Sequence, residues 1–148
     1  MEKLSELYQE IILDHNKNPK NFKHLESPTH TAEGYNPLCG DHYTLELNIH
    51  DGKIIDIGFS GKGCAISKSS ASLMTSSIKG GSIEEAQKLF NEFSALLKDE
   101  NAPEISGKNA KINVLRGVKA FPTRIKCAIL IWHTLKSAIE GNQKVTTE

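Results

Sequence analysis

HYTLELNIHDGKIIDIGFSG, residues 42 to 61, decides the fold. Tyr43, Leu45, Leu47 and Ile49 alternate with polar residues, so one face of an extended segment is apolar. Asp51-Gly52 then supplies a two-residue turn, and Lys53 to Gly61 runs extended again. Two such runs around Asp-Gly read as a β-hairpin. A further strand is expected before it, around Thr29 to Gly34.

Working outward, the flanks are helical. Residues 4 to 15 carry Leu4, Leu7, Tyr8, Ile11 and Ile12 on one stripe, and Pro19 disfavours helix at Asn18. After Gly63, CAISKSSASLMTSSIK reads as a helix closed by Gly80-Gly81. Ser82 with Glu85 three residues on is a capping box. It opens a helix to about Lys98 with Ile83, Ala86, Leu89, Phe90, Phe93, Leu96 and Leu97 inward. Residues 99 to 111 read as an exposed loop, and KINVLRGVKAF leaves room for a short helix. Pro122 suits the first turn of a last helix that ends at Gly141. The tail, 142 to 148, reads as loose. Strands first and helices after imply an α+β fold: a small antiparallel sheet of about three strands with helices on one side. The 148 residues suit one domain.

Charge narrows the function. Eighteen basic residues balance eighteen acidic ones, so nothing favours a nucleic acid or a membrane surface as partner. The longest apolar run, Ala128 to Trp132, is far too short to span a bilayer. The polar opening segment has no apolar signal core, so a cytoplasmic protein is expected. Three cysteines, an odd number, then argue for free or metal-bound thiols in a reducing compartment.

Each thiol occupies a different kind of position. Cys39 lies in NPLCGD, among turn formers, where a thiol is not expected as core filler. Cys64 opens a helix, and Cys127 lies in the first turns of another. The positive end of a helix dipole favours thiolate, the form that attacks sulfur and binds metal. Asp41, two residues after Cys39, is a fourth candidate ligand, with Gly40 letting the backbone turn around an ion. Three thiolates and one carboxylate would complete a tetrahedral zinc site. Arg124 and Lys126 flank Cys127 and could offset part of its negative charge.

Other readings stay open at this level. No C-x-x-C pair is present, and three scattered cysteines are commonly core residues. His42 is expected on the other face of its strand from Asp41, His15 at a helix end as a cap, and His133 on a solvated face. The serines after Cys64 read as a small-residue packing surface. GKG, 61 to 63, lacks the frame of a phosphate-binding loop.

Taken together, YNPLCGD (35–41), GKGCAISKSSASLMT (61–75), FPTRIKCAILIWHTL (121–135) and the opening LYQEIILDHNKNPKN resemble the SufU and IscU family of iron–sulfur cluster assembly proteins. The likeness runs over most of the chain. It implies Cys39, Asp41, Cys64 and Cys127 converging at one exposed end. In the scaffold branch such ligands hold a nascent [2Fe–2S] cluster, or zinc when resting. In the SufU branch they hold zinc, and the residue matching Cys39 accepts sulfur from a cysteine desulfurase. There the resemblance implies that the desulfurase lends a histidine to zinc in exchange for Cys39. Downstream iron–sulfur assembly proteins are the further partners it implies.

Two features favour the SufU branch. IscU-type scaffolds have a histidine before the third cysteine, where this chain has Lys126, which cannot ligate while protonated. The 62 residues between Cys64 and Cys127 also exceed the scaffold spacing, an insertion expected roughly within 82 to 111. Arg124 and Lys126 are candidate docking residues for the partner. The rival expectations are a [2Fe–2S] scaffold and a purely structural zinc protein.

Overall fold

The computed structural model describes the backbone of residues 2–147 and the side chains from residue 9 to residue 147. Helix α1 spans Glu2–Lys17, and strands β1 (His30–Asn36), β2 (Asp41–His50) and β3 (Lys53–Lys62) follow. Helices α2 (Ala65–Ile78) and α3 (Ile83–Lys98) lead to a stretch of 3-10 turns, Gly107–Ala120. Helix α4 (Pro122–Ile139) and a short strand β4 (Lys144–Thr146) complete the chain.

The hairpin forms as the pattern predicts. Asp51 and Gly52 both take positive φ, 52° and 73°, as a two-residue hairpin turn demands. Tyr43, Leu45 and Leu47 are fully buried along β2, with polar residues between them. In β3 a register shift opposite Asn48 and Ile49 lets both Ile54 and Ile57 face inward and leaves Ile55 exposed. Burial of each large side chain on this face contributes about 2 kcal/mol. Cα pairing of Asn36 with Asp41 closes β1 onto β2 around residues 37 to 40.

The sheet order is β3-β2-β1-β4, with β4 parallel to β1. The fold is α+β as expected, but the sheet is four-stranded and mixed. Residues 144 to 146, expected to be loose, pair with Glu33 to Tyr35. The main-chain bonds from Glu33 N–H to the Gln143 carbonyl, 2.7 Å, and from Thr147 N–H to the Tyr35 carbonyl, 3.0 Å, hold them.

Helices cover one face of the sheet. Ser82 and Glu85 form the reciprocal capping box of α3, and Phe93 stacks on Trp132 of α4 at 4.4 Å between centroids. Helix α4 reaches β1 closely because Gly34 lacks a side chain: a Cβ there would collide with the Thr134 hydroxyl. The serines of α2 do serve close packing. Ser69 Oγ donates to the Ile12 carbonyl and Ser70 Oγ to the Ala128 carbonyl, both at 2.6 Å. Ile11 and Ile12 lie partly buried against the core, whereas Leu4, Leu7 and Tyr8 fall outside the described side chains.

Three local expectations change. Residues 107 to 111 belong to the 3-10 stretch rather than a loop, and Ala102 and Ile105 are buried. His15 does not cap its helix; its Nδ1 lies 2.7 Å from Ser72 Oγ, and burial pushes its pKa below the usual value. His133 is half-buried, edge-on to the Phe90 ring at 5.4 Å.

Candidate metal centre

The turn between β1 and β2 and the N-terminal parts of α2 and α4 meet at one end of the sheet. Residues 37 to 40 form that turn, with Gly40 at a φ of 72°, a conformation glycine adopts freely. Cys39 stands on the turn, half-buried. Asp41 follows as the first residue of β2, on the same face as Tyr43 and Leu45, and is fully buried. The alternation that builds the core thus also buries a carboxylate at the strand's end.

A buried carboxylate is costly unless its oxygens find donors. Asp41 has three. The Cys64 backbone N–H donates to Oδ1 at 2.9 Å, Ser67 Oγ donates to Oδ1 at 3.0 Å, and Asn36 Nδ2 donates to Oδ2 at 3.1 Å. The Tyr43 hydroxyl lies 2.9 Å from Ser67 Oγ and extends the chain, and burial raises its pKa well above the usual phenol value. Gly63 makes the convergence possible, since a Cβ there would strike Ser67 Oγ, Tyr43 Oη and Asp41 Oδ1.

Cys127 lies in the second turn of α4 and is fully buried. Its Sγ is 3.0 Å from Cys39 Sγ, with the Cys127 thiol as donor, and both thiols are free. Burial drives the Cys127 pKa far up, reinforced by the hydrogen bond to Cys39 and the negative fields of Cys64 and Asp41. Arg124, one helical turn earlier, brings Nη1 to 3.9 Å from Cys39 Sγ and 4.0 Å from Cys127 Sγ. Its cationic form is stabilised first by the hydrogen bond to Cys127. Lys126 is exposed and lines the cleft between α4 and β4 with Ile125, Ile129 and Val145.

Ligand atoms of Cys39, Asp41 and Cys127 all lie within 4.8 Å of one another. Two sulfurs and a carboxylate oxygen at that spacing fit a thiophilic divalent ion. Cys64 is the predicted ligand whose sulfur stands outside that group. It caps α2 instead, where its Sγ accepts the Ser67 N–H at 3.5 Å. Its main chain nonetheless borders the group through the bond to Asp41. His42 is exposed, its Nε2 3.4 Å from Glu33 Oε1, and takes no part.

Sequence reasoning missed Asn36. Its side chain is fully buried, and its one amide nitrogen serves both Asp41 Oδ2 and, at 3.5 Å, Cys127 Sγ. Its Oδ1 is a buried acceptor with no hydrogen-bond partner among the described residues. An asparagine before proline reads as a turn former. The missed signal was its position opposite Asp41 across a four-residue turn.

The pattern of the NifU-like N-terminal domain family matches residues 7–128. The chain is 40% identical over 134 residues to the iron–sulfur cluster assembly scaffold protein IscU of Thermotoga maritima, covering 90% of this chain and 93% of that one. It is equally, 40%, identical over 137 residues to the zinc-dependent sulfurtransferase SufU of Bacillus subtilis, covering 92% and 91%. A crystal structure from Fervidobacterium islandicum, described as a cluster assembly scaffold of the SUF system, superposes with a TM-score of 0.81 at 33% identity. That superposition covers 88% of this chain and 94% of the other.

Proposed function

The chain belongs to the NifU-like N-terminal domain family, and on that premise we propose that it serves iron–sulfur cluster assembly as a sulfur acceptor. Cys39 takes sulfur from the persulfide of a cysteine desulfurase. The observation that supports this most is the unequal exposure of the group: Cys39 stands on a surface turn, while Asp41 and Cys127 are buried. A partner's sulfur reaches Cys39 first.

Cys39, Asp41 and Cys127 are the residues that would hold zinc, with Cys64 as the fourth ligand on giving up its bond to the Ser67 N–H at the start of α2. When bound, the ion supplies Lewis acidity that keeps the thiols deprotonated. The remaining chemistry is the chain's own. Cys39 thiolate attacks the outer sulfur of the donor persulfide; a new S–S bond forms, the donor's S–S bond breaks, and the donor leaves as thiolate. Arg124, within 4.0 Å of both sulfurs, steadies the negative charge as it moves. Asn36 holds Asp41 and Cys127 in place while Cys39 swings with its turn. Arg124 and Lys126, with exposed Leu38 and Phe121, form the docking face for the desulfurase.

Lys126 before Cys127, where no imidazole is offered, favours the relay over a scaffold. The second reading, assembly and transfer of a [2Fe–2S] cargo to downstream proteins, is favoured by the IscU relatives at the same level of identity. Desulfurase turnover separates active from inert roles: wild type stimulates it, and Cys39→Ala does not. Undiminished stimulation by Cys39→Ala overturns the acceptor role. Metal analysis of freshly isolated protein separates the two readings. Zinc that survives iron and desulfurase supports the relay, and a transferable, visible-absorbing cluster supports the scaffold.

A further inference from the structure

We propose that Cys127 discharges the sulfur carried on Cys39, releasing hydrosulfide and leaving a Cys39–Cys127 disulfide. The proposal rests on the reading of Cys39 as a sulfur acceptor. A persulfide on Cys39 has two sulfurs. The inner one is Cys39 Sγ, which stands 3.0 Å from Cys127 Sγ. The outer one hangs about 2 Å from the inner, at the end of an S–S bond. With the outer sulfur turned away from Cys127, the inner sulfur is the atom within its reach, and attack there gives a different product from onward transfer.

The step balances without an outside reductant. Cys127 Sγ bonds to Cys39 Sγ, and the bond between the inner and outer sulfurs breaks. The Cys127 sulfur is oxidised and the outer sulfur is reduced. The proton of the Cys127 thiol leaves with the departing sulfur, so a persulfide anion and a thiol become a disulfide and HS⁻. Hydrosulfide is the conjugate base of a stronger acid than an ordinary thiol, and such groups leave readily. Arg124 Nη1, close to both sulfurs, faces the charge that develops.

The third thiol has a different neighbour. Cys64 Sγ lies outside the group formed by Cys39, Asp41 and Cys127 and accepts a bond from the Ser67 N–H at the start of α2. Burial of Cys127 shields it from thiols in solution, so Cys39 is its natural partner. The chain thus performs one reductive release of sulfide for each oxidation of this pair.

The two sulfurs must be free of metal for the step, so the test uses chelator-treated, full-length protein. Fully reduced chain is mixed with one equivalent of glutathione persulfide. Sulfur uptake, free sulfide and disulfide linkage are followed by intact mass, sulfide assay and non-reducing peptide mapping. The expected result is transient uptake, then close to one sulfide per chain and a Cys39–Cys127 cross-link, with Cys64 unlinked. Cys127→Ala, or Cys127→Ser if alanine impairs folding, should keep the persulfide and release sulfide at least tenfold more slowly. Uptake that persists in wild type, or release undiminished in both variants, overturns the discharge and leaves the acceptor role standing. No uptake by wild type overturns the acceptor role itself. If neither variant folds, the wild-type map decides: a Cys39–Cys127 link supports the step, and any other pairing or none overturns it.

Discussion

Two turns join the three antiparallel strands, and they are built on opposite principles. At Asp51-Gly52 both residues take left-handed φ and both are exposed. Local preference specifies that turn, and the Gly52 carbonyl accepts the Ile83 N–H at 2.9 Å. At residues 37 to 40 only Gly40 is left-handed. The pair closing this turn, Asn36 and Asp41, is polar and fully buried on the face where the same strands elsewhere place Leu45 and Leu47. The conformation of the Asp51-Gly52 turn follows from its own two residues. The turn at residues 37 to 40 meets partners from α2 and α4 and carries the half-buried Cys39 thiol. One sheet thus separates folding information from chemical information by placing them at opposite ends.

Substitutions should respect that division. The largest effect is expected at Cys39→Ala: loss of sulfur uptake and desulfurase stimulation by about a hundredfold or more, with a melting temperature close to wild type. Next comes Asp41→Ala. It leaves the Cys64 N–H without its acceptor and takes one partner each from Ser67 Oγ, which keeps the Cys64 carbonyl, and Asn36 Nδ2, which keeps Cys127 Sγ. A buried donor left without an acceptor costs about 1–3 kcal/mol, so chemical denaturation should show a loss in that range. Metal affinity should fall with it.

Asn36→Ala is milder and more telling. Loss of a group that orients ligands typically weakens metal binding about 10- to 100-fold. A competition titration with a chromophoric chelator should show this, and loaded Asn36→Ala should expose Cys127 as well as Cys39 to alkylation. A turn that merely needs a buried filler would not change which thiol reacts. The smallest effect belongs to the other turn. Gly52→Ala forces a side chain into left-handed φ and should cost about 1 kcal/mol of stability, with metal affinity and sulfur uptake untouched. A site effect from Gly52→Ala would break the contrast.

The legibility of the sequence follows the same line. The hairpin, the capping box at Ser82 and the Pro122 helix start were readable because each is a short-range preference. Cys39, Asp41 and Cys127 stood out by chemistry, and the structure brings them together. Cys64 was legible as a helix start, and its sulfur accepts the Ser67 N–H there, beside the group that Cys39, Asp41 and Cys127 form. Asn36 was not legible because its role exists only once β1 pairs with β2 and α4 lies across them. Strand β4 escaped because three residues are too few for a period of two to register. His133 read as solvated because its own helix gave no sign that Phe90 of α3 would cover it.

Sulfur is expected to arrive at Cys39 on the surface turn, and not at the buried Cys127 or at the half-buried Cys64 at the start of α2. This is tested most directly by locating the first sulfur acquired. The zinc-loaded chain is incubated briefly with a cysteine desulfurase and cysteine, alkylated, and mapped by peptide mass spectrometry without reduction. The added sulfur is expected on Cys39. First appearance on Cys64 or Cys127, with Cys39 unmodified, would contradict it.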